Sequence, residues 1–193
     1  SEMCIRDSAN IGANPDHLAQ ELFAVVDVLD ENGGLRRGLT DPSRSADSRA
    51  SICSTIFGGK ISESAIKVVQ AAASARWSNE RDLADSLEQA AVEASAYSAE
   101  ANNGVQGLEN VINELLTFIN SVDDLAEAQT ALTEERASND AKQKLALVLG
   151  GNPQSAEGKL LIERVAKAPR GATPARLAEK FVDIIVKRQN RSI

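Results

Sequence analysis

Glu21-Leu22-Phe23-Ala24-Val25-Val26 recurs ninety-three positions later as Glu114-Leu115-Leu116-Thr117-Phe118-Ile119. Working outward, Ile52 and Ile56 match Leu145 and Leu149, and Ser62 matches Ser155 at the same offset. Phe57-Gly58-Gly59 returns one position out of step as Leu149-Gly150-Gly151, and Leu83-Ala84-Asp85 returns one position later as Leu177-Ala178-Glu179. The shared order and spacing describe one helical unit of about ninety residues present twice, a size that can bury its own core. The expected fold is therefore all-α: two tandem helical bundles related by internal duplication.

Composition agrees with helices. Hydrophobic residues make up 42% of the 193, but aromatics only 3%. The core must therefore be built from Leu, Ile, Val and Ala, and with Glu, Gln, Lys and Arg around it that mix favours helix over strand. Cys4 and Cys53 are too few for a disulfide framework, and Cys53, beside Ile52 in an apolar-periodic stretch, reads as a buried thiol in a reduced, cytosolic protein. No apolar run approaches the roughly eighteen residues of a membrane span, and no secretory signal is visible. The net charge of −7 conceals a gradient. Ser78 to Asp140 holds 14 acidic and 2 basic residues, net −12, whereas Lys159 to Ile193 holds 9 basic and 3 acidic, net +6. The acidic middle would repel phosphate backbones, which argues against a nucleic-acid partner. Lys187, Arg188 and Arg191 read as cations complementing the macrodipole of a last helix.

Along the chain, Ser1 to Ala13 has no clear period and no counterpart in the second unit, and reads as a non-native or disordered leader. Asn14-Pro15 is an N-cap followed by proline at the first helical position. Leu18, Leu22, Val25, Val26 and Leu29 follow at helical spacing, and Gly33-Gly34 reads as the stop. Leu35 to Leu39 makes about one turn, ended by Asp41-Pro42. Ser45 caps a helix to Gly58, Ser62 caps the next, and Ser78 is the expected cap of a long helix reaching Ala101. Asn102-Asn103-Gly104 breaks that pattern. The programme then repeats: Leu108 to Ser121, a short segment around Leu125 to Leu132, a helix from Ser138 or Asn139 to Leu149, one opened by Pro153 and Ser155, and a last one opened by Thr173-Pro174. The expected domains are 14–103 and 85–193, overlapping in the long helix 78–101, with the leader 1–13 outside both.

Candidate chemistry is sparse. His17, the single histidine, falls on the first turn of an exposed helix end, and without a second histidine or a CxxC pair no zinc site is expected. Asp123-Asp124 and Glu134-Glu135 are adjacent carboxylates that diverge around a helix axis and lack the glycine-centred spacing of a calcium loop. Gly33-Gly34, Gly58-Gly59 and Gly150-Gly151 follow helices rather than strands and lack the Lys-Ser/Thr of a phosphate loop, so they read as C-caps. Trp77 and Tyr97 are isolated and read as packing residues. No cofactor or metal is expected. What remains is shape: bundles of amphipathic helices can accept a partner's helix in an apolar groove.

Several stretches together resemble a known family. Glu21-Leu22-Phe23-Ala24-Val25, Leu35-Arg36-Arg37-Gly38-Leu39-Thr40-Asp41-Pro42-Ser43, Ile56-Phe57-Gly58-Gly59-Lys60-Ile61-Ser62 and Ala75-Arg76-Trp77-Ser78 are similar to the delta subunit of the proton-translocating ATP synthase. That family includes the mitochondrial oligomycin-sensitivity-conferring protein, and the likeness is to its long actinobacterial form with a duplicated helical N-terminal domain. The resemblance implies a non-catalytic peripheral-stalk (stator) subunit at the cytoplasmic face of the bacterial plasma membrane, peripheral and without direct membrane insertion. It would grip the N-terminal helices of alpha subunits and, through a C-terminal domain expected beyond Ile193, the b subunit, so that rotor torque drives ATP synthesis. It also implies that the first bundle lacks its first helix, and that an alpha-subunit helix docks between two walls: Leu87, Ala91, Ala94 and Ser98 on one, Leu160, Leu161, Arg164, Val165 and Ala168 on the other. The reading that needs no family is an unrelated cytosolic helical adaptor binding a partner's amphipathic helix.

Overall fold

The computed structural model describes residues 15–192; the leader 1–13, the Asn14 cap and the place of a first helix lie outside them. Among the described residues the protein is all-α, with nine α-helices, one 3₁₀ turn and no strand. The helices are α1 (Pro15–Glu31), α2 (Gly33–Thr40), α3 (Ala46–Phe57), α4 (Glu63–Ser74), α5 (Glu80–Asp124), α6 (Ala126–Thr133), α7 (Asn139–Leu149), α8 (Ala156–Ala166) and α9 (Pro174–Ser192), with the 3₁₀ turn at Pro169–Gly171. The chain divides into two compact units between Ser95 and Ala96, inside the stretch the sequence reading assigns to both domains.

In the first unit, Leu18, Leu22, Val25, Val26 and Leu29 are all buried, forming one stripe of α1 at the 3.6-residue period. Leu35 and Leu39 of α2, Cys53 and Phe57 of α3, and Val68, Val69 and Ala73 of α4 complete that core together with Leu83 and Leu87 of α5. The ends are fixed by side chains. Ser45 and Ser62 accept from the backbone N–H of Ser48 and Ala65, each satisfying a donor that the first turn of a helix leaves unpaired. Arg49, only 6% exposed, donates to the carbonyls of Ala73 (2.7 Å), Ser74 (3.2 Å) and Arg44 (2.6 Å), tying the end of α4 to the loop before α3. Arg36 does the same for α1. Its Nη1 reaches the carbonyls of Leu29 (2.5 Å) and Asp30 (3.0 Å), while its Nε meets Glu80 Oε2 at 3.3 Å.

The second unit has the same order of parts. Val111, Leu115, Phe118, Ile119 and Val122 are buried at the positions ninety-three beyond the α1 stripe. Ala128 and Leu132 of α6, Ala146 of α7, Leu161, Ile162 and Val165 of α8, and Leu177, Phe181 and Ile185 of α9 surround them. Ser138 and Ser155 cap α7 and α8 as Ser45 and Ser62 cap α3 and α4. A longer-range bond also recurs. Glu21 accepts from the backbone N–H of Ser62, and Glu114 accepts from the backbone N–H (3.3 Å) and the hydroxyl of Ser155; both pairs are 41 residues apart.

Two expectations are corrected and a third is met. Gly33-Gly34 do not end a helix: α1 stops at Glu31, one residue intervenes, and the two glycines form the first turn of α2. The cap of α5 is Asn79, whose Oδ1 accepts from Arg81 N–H, rather than Ser78. The break expected at Asn102-Asn103-Gly104 is present: Gly104 takes φ 63° and ψ −150°, values outside the helical region, and divides α5 into two helical arms. The bend is sharp. In a straight helix residues 99 and 107 would be about 12 Å apart along the axis, yet a Cβ on Gly107 would lie 2.2 Å from the carbonyl oxygen of Ala99.

Candidate functional site

In the second unit, residues 96–103 precede the Gly104 bend, and the positions they bury carry small side chains: Ala96, Ser98 and Ala99. Small residues allow close approach of neighbouring helices, and polar bonds fix the result. Ser98 Oγ donates to Glu157 Oε1 at 2.8 Å, and Asn102 Nδ2 reaches the same oxygen at 3.4 Å. Glu157 lies in the first turn of α8, where the macrodipole favours a negative charge. From α9, Arg188 places Nε 3.2 Å from Glu100 Oε2 and its guanidinium carbon 5.2 Å from the centre of the Tyr97 ring. Arg188 is 7% exposed, so it anchors α9 rather than serving as a solvated cation at a helix end.

Ser98 is therefore brought directly against the N-terminal turn of α8. Within α8, Leu161 and Val165 are fully buried and Arg164 is 3% exposed, while Leu160 and, just beyond the helix, Ala168 are half-buried. Ala168 begins a tight connection: it takes φ 43°, followed by Arg170 at φ 57° and Gly171 at φ 75°. This loop carries the extra residue that moves the repeat offset from ninety-three to ninety-four before α9. Leu87, Ala91 and Ala94 are buried on the part of α5 that belongs to the first unit. Of the expected wall in the second unit, Leu160 and Ala168 are the residues with side-chain surface open to solvent, and Leu161 and Val165 lie beneath them in the core.

Reactive groups are few. His17 is exposed, and Cys53 is fully buried, with its thiol pushed up to about 11 by that burial. Among the described residues no group of three or more His, Cys, Asp or Glu is placed to hold a metal ion, and no helix is long and apolar enough to cross a membrane. Asp41 is held below the ordinary carboxylate range by the hydroxyl and backbone N–H of Ser43, a local turn contact. The sequence reading did not single out Glu157 or the inward role of Arg188. The second had a signal: Arg188 continues the Ala178, Phe181, Ile185 spacing, and a cation on an apolar stripe needs a buried partner.

Known proteins place this architecture. The chain is 42% identical over 181 residues to the ATP synthase subunit delta of Kocuria rhizophila, covering 94% of this chain and 66% of that relative. It is 45% identical over 178 residues to that of Renibacterium salmoninarum, covering 91% and 65%. With that of Streptomyces coelicolor it shares 32% over 189 residues, 98% of this chain and 67% of the relative. The chain belongs to the ATP synthase delta subunit family. It spans about two thirds of the length of these family members, and slightly less for the first two. No protein-family model matches it.

Proposed function

We propose that the chain is part of a non-catalytic peripheral-stalk subunit of the proton-translocating ATP synthase, linking alpha subunits of the catalytic head to the b stalk. In that role it holds the head against rotor torque, as a peripheral component at the cytoplasmic face of the plasma membrane. The observation that carries the reading is the family relationship, which runs along 91–98% of the chain. The construction suits the load: closed apolar cores, with helix ends tied by Arg36, Arg49 and the Glu21 and Glu114 bonds, resist deformation without any chemistry of their own.

The same reading makes the two units copies of one ancestral bundle and gives the second a docking surface for an alpha-subunit N-terminal helix. Leu160 and Ala168 are its accessible part, Leu161, Val165 and Arg164 support it from within, and Ser98 fixes the adjoining helix. The test is calorimetric titration of the chain with a synthetic peptide of the cognate alpha-subunit N-terminus. Saturable binding with a negative heat-capacity change is expected, the mark of apolar burial. Leu160→Asp, at a half-buried position, should weaken binding by about tenfold or more, roughly 1.4 kcal/mol. Unaltered binding by a folded Leu160→Asp chain would remove this surface from the proposal, and no binding by the parent would remove the alpha-subunit contact.

A further inference from the structure

The two units differ at the corner that Arg36 fills in the first. In the first, the Arg36 guanidinium fills the corner between the end of α1 and the start of α5, bonded to the Leu29 and Asp30 carbonyls and paired with Glu80. Ninety-three positions on, Gln129 stands where Arg36 does and Val122 and Asp123 where Leu29 and Asp30 do; at the offset of ninety-four that holds from α9 onward, Pro174 stands where Glu80 does. Gln129 is too short to repeat the bridge. Its Nε2 touches only the edge of the Val122 carbonyl, at 3.5 Å. With both arms of the ion pair replaced by shorter side chains, a cavity of about 660 Å³ opens between the end of α5, α6 and the start of α9.

The lining says what would enter. The last carbonyls of α5 form the negative end of a helix macrodipole, and their counterparts in the first unit hold a guanidinium. Asp123, Glu179 and Asp183 add carboxylates. Arg176 and Lys180 also line the cavity, each three residues before one of those acids, a spacing at which the charges on α9 offset one another. The carbonyls and Asp123 remain as net attraction for a planar, multiply donating cation. Arginine fits such forked acceptors better than the compact ammonium of lysine.

We propose that this cavity in the second unit binds an arginine side chain presented by a partner polypeptide, supplying from outside the guanidinium that Arg36 supplies from within in the first. The lining side chains Asp123, Gln129, Glu179 and Asp183 are exposed, so the site opens to solvent. An open site of this kind holds a lone small cation poorly, whereas a tethered side chain gains from the contacts of its own backbone. The inference goes beyond the stator reading and stands or falls separately from it, because its test uses this chain and small peptides and no other ATP synthase subunit.

The experiment is an NMR titration of the full ¹⁵N-labelled chain with the blocked tripeptide Ac-Ala-Arg-Ala-NH₂. Parallel titrations use its neutral citrulline counterpart and free L-arginine. The arginine peptide should shift amide signals of residues 122–129 and 173–183 saturably, with half-saturation in the millimolar range, on the order of 10 mM. The citrulline peptide should leave them in place. Gln129→Arg should fill the cavity internally, abolish the peptide-induced shifts and raise the melting temperature by a few degrees, about 2–4 °C. Absence of shifts in the parent, equal shifts from citrulline, or shifts that survive in a folded Gln129→Arg chain would each overturn the site. Tighter binding of free L-arginine than of the peptide would overturn the polypeptide source.

Discussion

At the scale of single residues, the chain is held by side chains that finish what the helices leave undone. Glu21 and Glu114 each reach 41 residues forward to the serine capping the next-but-two or corresponding helix, so one carboxylate satisfies an orphan N–H and aligns two elements. Hydrogen bonds to charged groups contribute about 1.5–3 kcal/mol. Glu21→Ala and Glu114→Ala are each expected to destabilise by about 2 kcal/mol in urea unfolding, with Glu→Gln recovering part of the loss. Cys53 allows a second prediction. Ala146 holds the matching position in the second unit and is equally buried, so Cys53→Ala should cost only about 1 kcal/mol at neutral pH. Burial raises the thiol from 9.0 to about 11, so the unfolded chain loses this proton before the folded one does. Stability from the protonated thiol is complete below pH 9 and declines as pH rises from 9 to about 11. Urea midpoints across that interval should fall less for Cys53→Ala than for the parent; parallel curves would mean that the thiol is not protected.

At the scale of elements, the bend in α5 decides the geometry of the second unit. Gly104 occupies a backbone region open essentially to glycine, and Gly107 lies against the Ala99 carbonyl with no room for a methyl group. Gly104→Ala should cost about 1–3 kcal/mol from backbone strain alone. Gly107→Ala must also displace backbone and should lose more than about 3 kcal/mol, putting it among severe substitutions. Gly38 is the internal control: a Cβ there meets nothing within 4 Å, and its place inside α2 favours alanine. Gly38→Ala should therefore stabilise by about 0.5–1 kcal/mol, and thermal melts of the three variants read all the outcomes. These glycines also mark how far sequence reading reached. The caps Ser45, Ser62, Ser138 and Ser155 were legible because a small hydroxyl ahead of an apolar-periodic run has one common use. Gly33-Gly34 was misread because glycine punctuates both the end of one helix and the start of another when only Asn32 separates them. The break at Gly104 is legible, but how sharply the chain turns there depends on Gly107 and Ala99, a contact between residues eight apart that periodicity does not encode.

At the scale of the molecule, the sequence could name the apolar stripes but could not separate groove from core. Leu160 and Leu161 are adjacent leucines on α8, and only packing tells that the second is sealed while the first meets solvent. Their chemistry is identical, and the difference lies in the hundred-degree turn between successive helical positions and in what Ser98, Glu157 and Arg188 draw together. Each unit completes its own core and repeats the same internal bond, so a lesion in one should be felt mainly there. Loss of about 2 kcal/mol at Glu114 is a large fraction of a domain's usual stability. Glu114→Ala should accordingly speed amide hydrogen exchange through 105–124 and 156–166 while leaving α1 to α4 nearly unchanged, and Glu21→Ala should do the reverse. Hydrogen-exchange mass spectrometry of the two variants measures this directly, since local opening and global unfolding leave different protection patterns. If either variant instead loses protection evenly from α1 to α9, the chain unfolds as one cooperative whole. The arginine cavity would then have to be treated as a property of the entire molecule rather than of its second unit.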